Sequence, residues 1–269
     1  MDISLSDIEY TRLRALFERS LGIDLPDSKR ALVVNRLSKR LRLREMSTFA
    51  QYHQLLISGD DPDELQTALD LITTNETYFW REHKHFEFLR DSILTRWQSS
   101  EAFRVWCAAS SSGEEPYSVA MLLDDSIAVR PWEIVASDIS TRVLKQAQRA
   151  VYPMDRATKL PDPYLRHYCM RGINAQAGQI RVSQSIRRRV QFRQINLCAD
   201  LPDDLADFHL IFLRNVLIYF DQARKNEVVE RVISRLCVGG YLFVGHSEAL
   251  QGFAPRLCLV QPAIYLKLS

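Results

Sequence analysis

The stretch CAASSSGEEPYS, residues 107–118, is a candidate ligand-binding turn. Its single glycine, Gly113, is followed at once by Glu114 and Glu115. Phosphate-binding loops depend on backbone N–H groups at a positive helix end, so two carboxylates at this position argue against a phosphorylated ligand. They favour a positively charged ligand, although a glutamate in a first helical turn also stabilises the helix N-terminus.

Polar residues also follow apolar runs that are expected to be strands. Asp138 ends WEIVASD, Asn196 ends VQFRQIN, and Arg214 and Asn215 end FHLIFLRN. In open α/β sheets, ligands bind beyond the carboxyl ends of the strands. A carboxylate there can accept from both ribose hydroxyls and an asparagine can reach an adenine edge, whereas Asp138 taken alone more often caps a helix. Together the residues favour a nucleoside without phosphates, and S-adenosylmethionine, with its sulfonium and amino cations, is such a ligand.

These residues need an α/β framework, and the sequence predicts one from about residue 102 onward. Short apolar runs alternate there with amphipathic helical segments, which indicates a Rossmann-like, mostly parallel sheet covered on both faces. The last two runs are close together in the sequence, which predicts that the sheet ends with antiparallel strands. Extra material around Gly172 and Gly178 predicts a small antiparallel β insertion at about 164–190. The predicted strands are FRVWCAA, WEIVASD, VQFRQIN, FHLIFLRN, YLFVGH, CLV and AIYLKL.

Residues 1–73 predict a separate domain made only of helices, with 74–269 as the α/β domain. SDIEYTRLRALFERSLG has apolar residues near helical spacing and ends at Gly22, and SLSD supplies a plausible cap. Pro62 is placed to begin another helix.

A basic face is predicted on the second helix, within DSKRALVVNRLSKRLRLREM. Seven basic residues and no acid lie between Lys29 and Arg44, beside an expected buried stripe of Val34, Leu37 and Leu41. A solvated face is the usual meaning of such a charge run, and a docking surface is the alternative. The residues that share the face are Lys29, Arg36, Arg40 and Arg44.

Composition limits the partners. The 269 residues carry a formal charge of +2 and are 46% hydrophobic, which gives no argument for nucleic acid or direct membrane insertion. The acidic, polar start MDISLSDIEYTRL is unlike a secretory signal, so a cytoplasmic location is expected. Five cysteines without a CxxC spacing favour reduced thiols over zinc or disulfides. The spacing of His83, His85 and His246 matches no zinc motif, so no metal is predicted.

Several blocks, in order, resemble the chemotaxis receptor methyltransferases (CheR family), S-adenosylmethionine-dependent protein-glutamate O-methyltransferases with a small helical domain before a Rossmann-like class I methyltransferase domain. Two departures are mild: Ser111-Ser112-Gly113 stands where the family has Ser-Thr-Gly, and Phe79-Trp80-Arg81 stands where it has Phe-Phe-Arg. The blocks are ITTNETYFWRE, SSGEEPYSVAM, ASDIS, NLC, FLRNVLIYFD and GGYLFVGHSE.

The resemblance implies roles for individual residues. Tyr219 is similar to the family tyrosine whose ring lies near the transferred methyl, although RNVLIYF alone predicts a core aromatic there. Arg81 is expected to orient the acceptor carboxylate. The implied cofactor contacts are Asn75, Thr77 and Arg81, Glu114 near the methionine part, Asp138 on the ribose, Asn196 and Leu197 around the adenine, and Arg214 and Asn215 beside the sulfonium.

The resemblance also implies partners: receptor helical bundles as substrates, with the basic face docking on them, and S-adenosylhomocysteine as the second product. In some members of the family, the small β-subdomain binds a receptor carboxyl-terminal pentapeptide by strand addition. Two rival functions use the same cofactor. One is methyl transfer to RNA or a small molecule, and the other is a non-catalytic sensor of S-adenosylmethionine.

Overall fold

The computed structural model describes residues 4–250, 252–253 and 256–269. A helical domain comes first. The cap predicted in SLSD for the first helix is present at Ser6, whose hydroxyl accepts from the Glu9 amide. The Glu9 carboxylate in turn accepts from the Ser6 amide. That helix ends at Gly22 in the left-handed region, and Pro62 occupies the first turn of the fourth helix. The helices of this domain are α1 Asp7–Leu21, α2 Arg30–Leu43, α3 Phe49–Ser58 and α4 Pro62–Ile72.

The helical domain has its own apolar core, in which Phe17, Leu37 and Tyr52 are fully buried. The buried stripe of α2 contains Val33 in place of the predicted Val34, which is only partly buried. Helical periodicity alone does not distinguish adjacent valines at the edge of a stripe, so this detail depended on how α2 packs.

The second domain is built on a seven-stranded sheet, which confirms the Rossmann-like expectation. Its strand order is β6-β2-β1-β7-β8-β10-β9. The first five strands in that order run parallel, whereas β10 pairs antiparallel with β8 and β9, as the short spacing of the last two apolar runs predicted. The strands are β1 Phe103–Cys107, β2 Trp132–Asp138, β6 Val190–Gln194, β7 Phe208–Leu213, β8 Leu236–Val244, β9 Leu257–Gln261 and β10 Ile264–Lys267.

Helices cover both faces of this sheet. Because side chains alternate along a strand, Val105 and Cys107 of β1 join the core on one face and Trp106 joins the core on the other. On the first face lies α6, with Leu122 fully buried, and on the second lies α10, with Val228 fully buried. The α-helices of this domain are α5 Lys84–Phe88, α6 Glu114–Ile127, α7 Thr141–Arg149, α8 Asp162–Tyr168, α9 Gln184–Arg187 and α10 Gln222–Ser234.

The predicted antiparallel insertion is present, but it starts earlier than the expected 164–190. Its three strands are ordered β3-β5-β4, with β3 at Val151–Pro153, β4 at Cys169–Arg171 and β5 at Gln179–Val182. A three-residue strand that ends in proline shows no alternation, so β3 could not be predicted from the sequence. The small sheet therefore begins directly after α7.

The two domains are joined by polar contacts. The Asp70 carboxylate accepts from the backbone amides of Thr141 (3.0 Å) and Arg142 (3.1 Å), at the start of α7. The Asn196 amide donates to the Ser20 carbonyl at 2.9 Å. These bonds seat the helical domain over the carboxyl edge of the sheet, where a ligand site is expected. None of the helices in the described ranges is long and apolar enough to cross a membrane.

Candidate active site

A cavity lies where the helical domain meets the carboxyl ends of the strands. It encloses about 1440 Å³ of space free of protein atoms, its open mouth included. Most of the residues predicted to bind a cofactor lie along its wall. These are Asn75, Thr77, Arg81, Asp138, Asn196, Leu197, Arg214 and Asn215. Tyr219, predicted to be catalytic, lines the same cavity.

The turn after β1 forms the floor of this cavity. Gly113 has a φ of +97°, and a Cβ there would come within 2.8 Å of the Ala147 Cβ and 2.9 Å of the Tyr152 hydroxyl. The glycine is therefore required by the backbone conformation and by close packing against α7 and β3. It does not have to make room for a phosphate, which agrees with the argument from the paired glutamates.

Asp138 is buried at the end of β2, with its carboxylate held in place. It accepts from the amides of Ser111 and Ser140, both at 2.9 Å. Burial raises its pKa to about 6, even though these amides oppose the shift. The cap of α7 is Ser140, whose hydroxyl accepts from the Val143 amide, so Asp138 is not the side chain that caps this helix. Its oriented carboxylate borders the cavity and suits a ribose diol.

The two glutamates of the turn have different environments. Glu114 is only 1% exposed and accepts from the Ser112 hydroxyl at 2.7 Å, and its contact with the cofactor stays a prediction. Glu115 borders the cavity. Both lie in the first turn of α6, and because a helix presents successive residues about 100° apart, the two carboxylates have different neighbours.

Arg214 lies between two carboxylates beside Glu115. Its Nη1 donates to the Glu115 carboxylate at 2.9 Å, its Nη2 approaches the Glu82 carboxylate at 3.2 Å, and Nη2 also donates to the Arg81 carbonyl at 2.5 Å. Burial raises the pKa of Glu115, and Arg214 opposes that shift only in part. Burial acts in the same sense on Glu82, but Arg214 and the nearby histidines hold its pKa below the ordinary value. Arg214 thus fixes both carboxylates, of which that of Glu115 borders the cavity.

The segment after β7 presents Asn215 and Tyr219 to the cavity. Asn215 has a φ of +56°, a conformation that a non-glycine residue adopts at a cost. Glu248 holds it there, because its buried carboxylate accepts from the amides of Asn215 (2.6 Å), Gly245 (2.7 Å) and Ile218 (3.3 Å). Burial raises the pKa of the half-buried Tyr219, against the opposing effect of Arg81 and Arg36.

The contacts of Glu82 and Glu115 with Arg214, and of Glu248 with Asn215, were not predicted from the sequence. Each glutamate nevertheless lies inside a block that carried the family resemblance. Glu82 directly follows Arg81, and Glu248 ends GGYLFVGHSE. Their positions next to predicted site residues could have indicated that these glutamates are buried and paired, because buried carboxylates need partners.

Arg81 and Asn196 are partly engaged within the protein. Arg81 donates from Nη1 to the Glu76 carbonyl at 2.8 Å, near the ring of Tyr78. The Asn196 side-chain oxygen accepts from the Cys198 amide at 2.9 Å, while its nitrogen donates to Ser20. The Asn196 amide thus has one N–H remaining for a ligand.

The predicted basic face is largely paired inside the helical domain. Arg40 and Arg44 both bind the Glu64 carboxylate, which is itself buried, and Arg44 also pairs with Asp61 at 2.6 Å. Arg36 donates to the Ile72 carbonyl at 2.6 Å and the Thr73 carbonyl at 3.0 Å. Lys29 is exposed and borders the cavity.

An open sheet of this order, with a cavity at its carboxyl edge, is the arrangement of a Rossmann-like class I S-adenosylmethionine-dependent methyltransferase. Comparison with protein families agrees. Residues 75–263 match the family described as CheR methyltransferase, SAM binding domain, and residues 8–73 match CheR methyltransferase, all-alpha domain. The chain belongs to the CheR methyltransferase family, and its cofactor is S-adenosylmethionine.

Curated relatives match along nearly the whole chain. It is 39% identical to the chemotaxis protein methyltransferase of Escherichia coli (strain K12), over 98% of this chain and 92% of that protein. It is 40% identical to the chemotaxis protein methyltransferase 2 of Pseudomonas aeruginosa, over 89% of this chain and 86% of that protein. The chemotaxis protein methyltransferase of Salmonella typhimurium is 36% identical, over 98% of this chain and 91% of that protein.

Proposed function

We propose that this chain transfers a methyl group from S-adenosylmethionine to glutamate side-chain carboxylates of chemotaxis receptors. The products are glutamate methyl esters and S-adenosylhomocysteine. The observation that carries the proposal is the cavity at the carboxyl edge of the sheet, which Glu115, Asp138 and Tyr219 all line, in a chain whose residues 75–263 match the CheR SAM binding domain. A cytoplasmic location follows from this proposal, because the substrate glutamates belong to the cytoplasmic helical bundle of the receptor.

The cavity suggests an orientation for the cofactor. Asp138 would bind the ribose, and Asn196 and Leu197 would border the adenine, with Asn75 and Thr77 along the same wall. The amino and sulfonium cations would then lie near Glu115. We propose that Glu115, which borders the cavity, lies near the methionine part together with the predicted Glu114.

The acceptor needs no strong general base. A glutamate side chain has a pKa of about 4.3, so it is already a carboxylate at neutral pH. Among the described residues that line the cavity there is accordingly no histidine. The cofactor supplies the methyl group, and the chain has to align the reactants and exclude water. Positioning of this kind can supply roughly 7–11 kcal/mol.

We assign the positioning of the reactants to Arg81 and Tyr219. At saturating cofactor, Arg81→Ala and Tyr219→Phe should each lower kcat at least about tenfold, because each removes a group that orients a reactant. Single-turnover transfer of labelled methyl groups to receptor-containing membranes measures this. Tyr78→Phe is the matched control, since Tyr78 lines the same cavity and its hydroxyl has no assigned role. Near-normal turnover in both variants would refute the assignment.

The nature of the product separates the proposal from its rivals. A carboxyl methyl ester releases methanol in mild alkali, whereas an N-methyl or ring-carbon product on RNA or a small molecule does not. A protein that only senses S-adenosylmethionine would bind it without turnover. We expect alkali-labile label on the receptor.

Of the predicted docking residues, Lys29 is the one whose placement suits a substrate contact. It is exposed at the cavity mouth, whereas Arg40 and Arg44 are paired with Glu64. Lys29→Glu should weaken the apparent affinity for receptor several-fold at low salt, and the difference from the unmodified chain should shrink as salt rises. Lys39→Glu is the control, because Lys39 is equally exposed on α2 but does not border the cavity. Equal effects of the two changes would show that overall charge is what matters.

The small sheet offers a second place for the receptor to bind. Its edge strand β4 is followed by the exposed Ile173, and Met170 within β4 is also exposed. We propose that a receptor carboxyl-terminal pentapeptide adds here as a further strand. Calorimetry with such a peptide measures the interaction.

A further inference from the structure

Three side chains meet close to Arg214, and none of them is among the described residues that line the cofactor cavity. Glu82, His85 and His246 each place a ligand-type atom within 4.8 Å of the others. His85 Nδ1 lies 3.6 Å from the Glu82 carboxylate, and the rings of His85 and His246 are edge to face with centroids 5.1 Å apart. The spacing of the histidines matched no zinc motif because His246 comes from the end of β8, far along the chain.

The unusual member of this group is His85. Its side chain is 1% exposed, yet neither ring nitrogen has a hydrogen-bond partner among the described residues. Leaving a buried polar group unsatisfied costs about 1–3 kcal/mol, so such groups call for an explanation. A ring nitrogen that points at a carboxylate and a second histidine is satisfied by a shared metal ion.

The group has the composition and access that a zinc-class ion requires. Two imidazoles and one carboxylate are ligands that Zn²⁺ binds at about 2.0–2.2 Å, with water free to take the fourth position. His246 is exposed, which provides an entry path and freedom to close the remaining gap.

We propose that Glu82, His85 and His246 form an inhibitory Zn²⁺ site. Glu82 is shared, because the same carboxylate that would bind the metal also accepts from Arg214 Nε at 3.3 Å and from the Asn215 amide at 3.4 Å. A metal ion on Glu82 draws it away from both residues and so displaces two side chains that line the cofactor cavity. Binding of Zn²⁺ and of the cofactor therefore weaken each other, and by linkage they do so to the same degree.

Calorimetric titration of the whole chain with ZnCl₂ tests the site. The unmodified chain should bind one Zn²⁺, and His246→Gln should raise the Kd at least about tenfold, since even groups behind the ligands change metal affinity by that much. His83→Gln is the matched control, because His83 is exposed in the same HKH-containing segment but lies outside the group. Absence of saturable binding, or an equal effect of the two substitutions, would overturn the site.

Titration with S-adenosylhomocysteine, without and with saturating Zn²⁺, tests the inhibition by binding alone. The metal should raise the Kd for S-adenosylhomocysteine in the unmodified chain and in His83→Gln, but not in His246→Gln. A Kd that Zn²⁺ leaves unchanged would overturn the inhibitory role. Failure of the metal-free chain to bind S-adenosylhomocysteine would instead contradict the cofactor assignment.

Discussion

Arg214→Met should destabilise the chain by about 3–5 kcal/mol, because it leaves two buried carboxylates without their shared cation. Arg214 is 5% exposed, and the side chains of Glu82 and Glu115 are only 14% and 13% exposed. Methionine keeps most of the volume of the arginine side chain, so the loss of stability comes from the missing charge and hydrogen bonds and not from a cavity. Denaturant unfolding without cofactor measures the stability. Calorimetry should show that affinity for S-adenosylhomocysteine falls as well, because Glu115 is no longer fixed.

A second substitution isolates the cause. Removing both partners of a buried pair costs less than removing one, so Arg214→Met with Glu115→Gln should be more stable than Arg214→Met alone. Arg235→Met is the matched control: Arg235 donates to the backbone carbonyls of Leu205 and Pro202, and no carboxylate is stranded when it is lost. A double variant no more stable than the single one would show that the stranded carboxylates are not the source of the loss.

Local signals in the sequence accounted for most of the architecture. The cap at Ser6, the end of α1 at Gly22 and the start of α4 at Pro62 depend on residues within one turn, and the structure has all three. The continuous apolar runs gave the strands of the large sheet because a strand buried on both faces has few polar positions. β3 was missed because three residues carry no periodic signal.

The partners of charged residues could not be predicted in the same way. Periodicity placed Arg40 and Arg44 on one face of α2, but it could not show that α4 presents Glu64 to that face. Glu248 and Asn215 are 33 residues apart, and nothing local links them. Likewise, whether Glu115 borders the cavity depends on how α6 is rotated against the sheet. These contacts depend on tertiary packing, and they determine the geometry of the site more than they determine the fold.

Glu248→Gln should lower both stability and turnover, because the carboxylate of Glu248 shapes the segment that carries Asn215 and Tyr219. A glutamine has one acceptor oxygen, and its NH₂ group would face backbone N–H groups that now donate to a carboxylate. Buried donors left without acceptors cost about 1–3 kcal/mol each, so we expect a loss of about 2–4 kcal/mol in the free energy of unfolding. Since a displacement of about 1 Å can cost roughly 100-fold in rate, kcat at saturating cofactor should fall by about that factor.

Gly245→Ala provides an independent route to the same defect. A Cβ at Gly245 would lie 2.6 Å from the Asn215 Nδ2 and 2.6 Å from the Glu248 carboxylate, so it must displace the anchored segment without removing any hydrogen-bonding group. Glu227→Gln is the control for loss of a glutamate, because Glu227 makes only surface ion pairs, which contribute about 0–1 kcal/mol. Single-turnover methyl transfer and denaturant unfolding should show both defects in Glu248→Gln and Gly245→Ala and neither in Glu227→Gln. If both variants lose stability but keep wild-type kcat, Glu248 supports the fold without positioning Tyr219.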